Sequence, residues 1–263
     1  MQFSTTVSLL TDYLRYYLSA GNAHHIHSPF VFNLYNKVIS SKDTTTKSIE
    51  IENLRQSLLK DKTEISFTDL GAGSITGTKK VRMISEIAAT SAKNKKYATL
   101  LYRLCNYLNA QTIIELGTSL GISTAYIASA NPKKIYTIEG SDEVSQLAKE
   151  NLHKLNFQNV NFISGSFEEH LPKLLRSIES FDFAFIDGNH QYLPTINYFK
   201  LLLEKATENT CFVFDDINWS SEMKTAWKEI CENNRTTVSI DLFFMGIVFI
   251  NPNFSKQHFV LRY

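Results

Sequence analysis

The chain has 263 residues, with 27 Lys and Arg against 26 Asp and Glu for a net charge of +1, 43% hydrophobic and 20% charged residues. That is enough apolar material for one or two packed domains, and it excludes a disordered chain and a global field for a polyanion. Three cysteines, Cys105, Cys211 and Cys231, fit neither a disulfide framework nor metal-ligand spacing, and the longest apolar run, 242–250, is too short for the ~20 residues of a membrane span.

Free thiols, a reducing compartment and a cytoplasmic location are expected from this usage. Asp12 and Arg15 interrupt the first apolar stretch and no basic region precedes it, so no signal peptide is expected.

The apolar spacing of Val7, Leu10, Leu14, Tyr17 and Leu18 predicts an amphipathic helix over 6–20. After the histidines His24, His25 and His27, Pro29 predicts a second helix to about residue 39. The polar stretch 40–48 reads as a loop and 49–60 as another helix. Residues 61–78 read as irregular and contain the glycine stretch 69–74. From 79 to 108 a helical pattern breaks near Lys93-Asn94, and this stretch is locally basic. From residue 112 the rhythm changes to short β-rich runs at 112–116, 134–138, 160–164, 181–186 and 210–214. Helical segments lie between them at about 122–130, 142–155, 167–178, 192–206 and 220–233. This alternation predicts βαβ units around a mainly parallel sheet. Residues 237–250 read as two strands meeting near Phe244-Met245-Gly246, and 258–263 as one more strand or a surface segment.

Within 113–124, IIELGTSLGIST, a strand passes through a glycine turn into a helix. Gly117 and Gly121 allow close backbone approach, and Ser123 and Thr124 fall in the first helical turn, where N–H groups are open. The glycines are four apart, which disfavours a dinucleotide fingerprint, and no Gly-Lys-Ser/Thr ending of a phosphate loop follows. Glu115 at the strand end would repel a pyrophosphate and suits a cation. Glu139 ends the next strand, where an acid can accept hydrogen bonds from ribose hydroxyls. The pattern asks for a ligand with a ribose, a cation and no phosphates.

With these residues the chain resembles the class I S-adenosylmethionine (SAM) dependent methyltransferases, in the O-methyltransferase branch of catechol and caffeoyl-CoA enzymes. The resemblance runs from about 97 to 250. It implies a doubly wound, mainly parallel, seven-stranded Rossmann-like sheet in a domain 97–263, with a helical N-terminal extension or substrate cap at 1–96. It further implies that Gly117, Thr118 and Gly121 line the methionine end of SAM, with Glu115 near its ammonium, Glu139 on its ribose and Ser123 also among the cofactor-binding residues. Gly165, Ser166 and Phe167 would bracket adenine, Ser166 standing where the family often has Asp.

Asp187 ends the fourth strand of this series and Asp215-Asp216 the fifth. In a parallel sheet such ends share one rim, and carboxylates gathered there call for a positive partner. Mg²⁺ or another divalent cation with oxygen ligands suits them. By resemblance Asp187, Asp215 and Asp216 would hold it, although relatives carry Asp-Asn where this chain has Asp-Asp. His190 stands where relatives place a lysine that assists deprotonation. His190 and Asp187 are thus the candidate catalytic residues, with Asp187 also near the cofactor. Capping of a helix or turn is the alternative role for the three aspartates.

The expected reaction is methyl transfer to an oxygen of a small-molecule acceptor. RNA methylation and SAM binding without turnover stay open, and the basic stretch 79–103 would serve the RNA case. No membrane partner is expected, and 242–250 is the candidate interface strand of a homodimer.

Overall fold

The structure is a computed structural model that describes residues 2–69 and 78–263. In chain order α1 (Gln2–Ser19) leads through a short turn to α2 (Pro29–Leu34), whose last turns loosen into a π-helical segment, Tyr35–Ile39. Next come α3 (Ser48–Leu58), β1 (Glu64–Asp69), β2 (Thr78–Met83), α4 (Ile84–Ser91) and α5 (Lys95–Tyr107). Then β3 (Thr112–Leu116), α6 (Ile122–Ala128), β4 (Lys134–Glu139), α7 (Asp142–Lys154), β5 (Val160–Ser164), α8 (Phe167–Ser177), β6 (Phe181–Ile186) and α9 (Tyr192–Leu203) alternate. The chain closes with β7 (Ala206–Asp215), α10 (Ser221–Glu232), β8 (Val238–Asp241), β9 (Met245–Phe249) and β10 (Gln257–Val260). The βαβ rhythm expected from residue 112 onward is therefore present.

The chain divides into two compact units, one of residues 42–189 and one of residues 1–41 with 190–263. In the first, four strands lie in the order β6-β3-β4-β5, all parallel. Burial follows this order. Ile113, Ile114 and Leu116 of β3 and Phe183, Ala184 and Phe185 of β6 are all fully buried, as strands covered on both faces must be. β5 has exposed residues, including Asn161 and Ser164, as befits an edge. The helices before β3 share this unit's core. Ile51 and Leu58 of α3, Ile84 and Ile87 of α4 and Ala98 of α5 pack in one cluster with Tyr126 of α6 and Leu152 of α7.

One segment departs from the sequence reading. Residues expected to be irregular and then helical form an antiparallel pair, with Glu64 opposite Met83 and Phe67 opposite Lys80. Ile65 and Phe67 alternate with polar residues, a period-two signal too short to stand out before its partner is known. Their packing against the α3–α7 cluster supplies what local propensity does not. The glycine stretch 69–74 lies outside the described residues from 70 onward.

In the second unit β10 pairs parallel with β8, while β8 and β7 each pair antiparallel with β9. Among the described residues the two units thus hold four strands each besides the β1–β2 pair. That is one more than the seven expected, and the extra strand is β10. Both chain ends meet in this unit. Gly21 bridges to Leu261, and the Tyr16 hydroxyl donates to the Leu261 carbonyl at 2.6 Å. Tyr16 and Ala20 bury against Phe243.

Candidate active site

The C-terminal ends of the four parallel strands are tied backbone to backbone. Gly117 N–H donates to the Ile138 carbonyl at 2.9 Å, Asp187 N–H to Leu116 at 2.8 Å and Gly165 N–H to Glu139 at 2.8 Å. The β3–α6 loop must turn sharply beneath this rim. Gly117, Ser119 and Gly121 all have positive φ, of 98°, 47° and 83°. A Cβ on Gly117 would lie 2.0 Å from the Asp187 carbonyl oxygen, so only glycine lets the two strand ends approach so closely.

Glu115 differs from the expected cation-facing acid. It is fully buried, and its carboxyl accepts hydrogen bonds from Ser123 Oγ at 2.7 Å, Thr124 Oγ1 at 2.6 Å and Thr137 Oγ1 at 2.7 Å. Thr118 Oγ1 lies 2.5 Å from Thr137 Oγ1. Since Thr137 has one hydroxyl proton and directs it at Glu115, Thr118 is the donor of that pair. Burial pushes the Glu115 carboxyl up to about 7, against the pull of the three hydroxyls, and the charge of Asp187 adds to the rise. The Thr118 and Ser123 side chains are thus committed to a buried network that fixes the loop. Their backbone remains as the part expected to meet a ligand.

Glu139 stands at the rim as expected. Its carboxyl accepts Ser119 N–H at 2.8 Å and Ser141 N–H at 3.1 Å, which clamps the β3–α6 loop to the end of β4. Burial raises its pKa, the N–H donors of Ser141, Ser119 and Gly140 lower it, and Asp187 raises it again. Ser119 Oγ is buried and finds no hydrogen-bond partner among the described residues. Lys93, from the turn before α5, lies 3.1 Å from Asp187 Oδ2, with each side chain only 14% exposed. Sequence reasoning counted Lys93 only as part of a basic stretch.

Across the rim, Ser166 caps α8 by accepting Glu169 N–H at 3.3 Å. The aromatic edge of Phe167 sits against Gly188, where an added Cβ would meet the ring at 2.6 Å. His170 lies in the same way over Gly165, whose φ is 126°. Phe167 and His170 are therefore packed on Gly188 and Gly165 at these strand ends, and Ser166 serves the helix.

The expected cation ligands fall in both units: Asp187 in the first, His190, Asp215 and Asp216 in the second. Asp215, the last residue of β7, is 3% exposed. His190 Nε2 lies 4.0 Å from Asp216 Oδ2. Asp216 takes a left-handed φ of 53°, and its carbonyl accepts Trp219 N–H at 2.9 Å. Trp219 is 57% exposed, so its indole is not core packing. The cap of α9 is Gln191, so Asp187 does not serve that helix.

Residues 114–217 match a family described as a methyltransferase domain. Over 133 residues the chain is 30% identical to a catechol O-methyltransferase of Niastella koreensis, covering 49% of this chain and 58% of that protein. The chain spans about half the length of the curated relatives it matches. An O-methyltransferase from Bacillus cereus in complex with SAH is similar in fold, with a TM-score of 0.53 at 18% identity over 84% of this chain and 97% of that one. An SAH-bound methyltransferase of Podospora anserina gives 0.59 at 14% identity over 86% and 97%. The pairing of an acid-tipped strand, a left-handed glycine turn and a second acid-tipped strand thus lies within the stretch that matches the methyltransferase domain family.

Proposed function

We propose that the protein is a SAM-dependent methyltransferase acting on an oxygen of a small-molecule acceptor. One observation carries the reading. In the unit 42–189 Glu139 accepts Ser119 N–H across a left-handed turn at Gly117 and Gly121, beside a buried Ser119 Oγ that finds no partner among the described residues. A carboxyl at this strand end suits ribose hydroxyls and disfavours phosphates. The donor set fits SAM. Glu139 keeps lone pairs for ribose hydroxyls, the buried Ser119 Oγ is a polar atom in want of a partner, and Phe167 offers an apolar wall for a flat base.

When bound, SAM supplies an electrophilic methyl on a sulfonium that leaves as a neutral thioether. The chain's part is to hold and to orient. Glu139 and the Ser119 loop fix the nucleoside, and Gly117 and Thr118 present backbone to the methionine end. His190, held near Asp216, takes the acceptor proton as the oxygen attacks. Asp187 in one unit, and Asp215 and Asp216 in the other, offer carboxylate oxygens of the kind that would hold a divalent cation, which would ease deprotonation of the acceptor. The carboxylate donors suit Mg²⁺. A cytoplasmic location and a homodimer belong to the same proposal, but 242–250 does not serve as the interface strand expected, because β9 is buried and paired with β7 on one side and β8 on the other.

Calorimetric titration tests it. SAM is expected to bind where NAD does not. Glu139→Ala should weaken SAM about tenfold or more, the worth of a hydrogen bond to a charged group, with the circular dichroism spectrum unchanged. Binding of NAD in preference to SAM overturns the reading. Turnover with hydroxylated aromatic acceptors, against none with RNA, separates the small-molecule reading from the nucleic-acid one.

A further inference from the structure

We propose that Lys93 is the resident counter-cation of Asp187, so that a divalent metal enters this rim only by displacing the lysine. The proposal rests on reading Asp187 as a metal ligand, as above. Its own basis is the ion pair between Lys93 Nζ and Asp187 Oδ2 at 3.1 Å, with both side chains largely withdrawn from water. A pair this sheltered is screened far less than a surface one, and the lysine charge counts nearly in full against a second cation at the same carboxylate.

The position of Lys93 supports a designed partner over a chance contact. It sits in the short link between α4 and α5. Asn94 follows at once and caps α5, its side chain accepting Tyr97 N–H at 3.1 Å. Ala98 and Leu101 of that helix are fully buried, so the backbone that carries Lys93 is anchored on its C-terminal side. The carboxylates beside it make the need clear. Asp187 disfavours the charged forms of Glu115 and Glu139, and a neutralised Asp187 relieves both. Lys93 thereby fills the electrostatic place that a metal fills when carboxylates gather without an internal cation. The specificity of this rim, for a metal or for none, is set from a turn 94 residues away in sequence (187 − 93).

Mn²⁺ binding, followed by electron paramagnetic resonance on the purified full chain, decides between outcomes without reference to turnover. Wild type, Lys93→Met, Asp187→Asn and the double variant are compared, with SAM binding and circular dichroism as checks on folding. Lys93→Met is expected to tighten Mn²⁺ at least about tenfold over wild type, and Asp187→Asn to abolish that gain in the double variant. Equal Mn²⁺ affinity in wild type and Lys93→Met overturns the proposal while leaving Asp187 open as a ligand. Absence of Mn²⁺ binding in both, with SAM still bound, overturns the proposal and the metal reading together but not the methyltransferase reading. Should Lys93→Met fail to fold, Lys93→Gln and Lys93→Arg carry the same test. Gln is expected to tighten Mn²⁺, and Arg, which keeps the charge, to leave it at the wild-type level.

Discussion

Glu115 shows how much one buried carboxyl can govern. Its ordinary value is 4.5 and burial lifts it to about 7, so between these values the folded chain keeps a proton that the unfolded chain has released. The stabilisation is whole below about pH 4.5 and is lost as pH climbs through about 7. Glu115→Gln, a permanent mimic of the protonated acid, has no such dependence at this site. Wild-type stability in urea, relative to Glu115→Gln, is therefore expected to fall from about pH 5 to about pH 8, and a flat difference would contradict the burial-driven shift. Gly117 is the second residue of consequence. Gly117→Ala places a methyl against the Asp187 carbonyl at a left-handed φ, and should cost at least about 2 kcal/mol by urea unfolding. The glycines and the acids were legible in the sequence because strand, turn and helix follow one another within a dozen residues. The direction of Glu115 was not, because its hydroxyl partners include Thr137 on the neighbouring strand. Lys93 was hidden for the same reason: no local pattern pairs it with Asp187.

Elements divide along the same line. The strands from β3 to β9 stood out because each is a short apolar or alternating run between turn residues. β1 and β2 did not, since their identity depends on pairing with each other. At the other end of the chain, α1 is fastened by Tyr16, whose buried hydroxyl reaches the Leu261 carbonyl. Burial drives that phenol's pKa well above its ordinary value, so the hydroxyl stays a donor at any pH the fold survives. Tyr16→Phe removes the donor and leaves the carbonyl short of a partner. The expected loss is about 1 kcal/mol in chemical denaturation, with no change in SAM affinity. A loss of SAM affinity equal to the loss of stability would mean that α1 does more than brace β10.

At the level of the molecule, composition set the limits and the structure keeps within them. Among the described residues no helix is long and apolar enough to cross a membrane, and all three thiols are free. Cys105 and Cys211 are buried, burial holds the Cys211 thiol well above its ordinary value, and the Cys231 thiol is pushed up to about 11. A thiolate is what reacts with a disulfide reagent. The native protein is thus expected to label slowly near pH 8 and to release all three thiols only on unfolding. Rapid labelling of Cys211 in the native state would show that its strand opens easily. The grouping of residues 1–41 with 190–263 was not legible, because sequence patterns report local order and say nothing of which distant segments share a core.

That grouping has a consequence for how the protein is made. Tyr16 and its hydrogen-bond acceptor are 245 residues apart. At a synthesis rate of roughly 5–20 residues per second, α1 waits on the order of 12–50 s after leaving the ribosome before its partner exists. Throughout that interval Tyr13, Tyr16 and Ala20 lack the Phe243 surface they bury against, while Leu10, Leu14 and Leu18 stay exposed even in the finished fold. During synthesis the apolar face of α1 thus stays without its packing partner until the segment around Phe243 emerges.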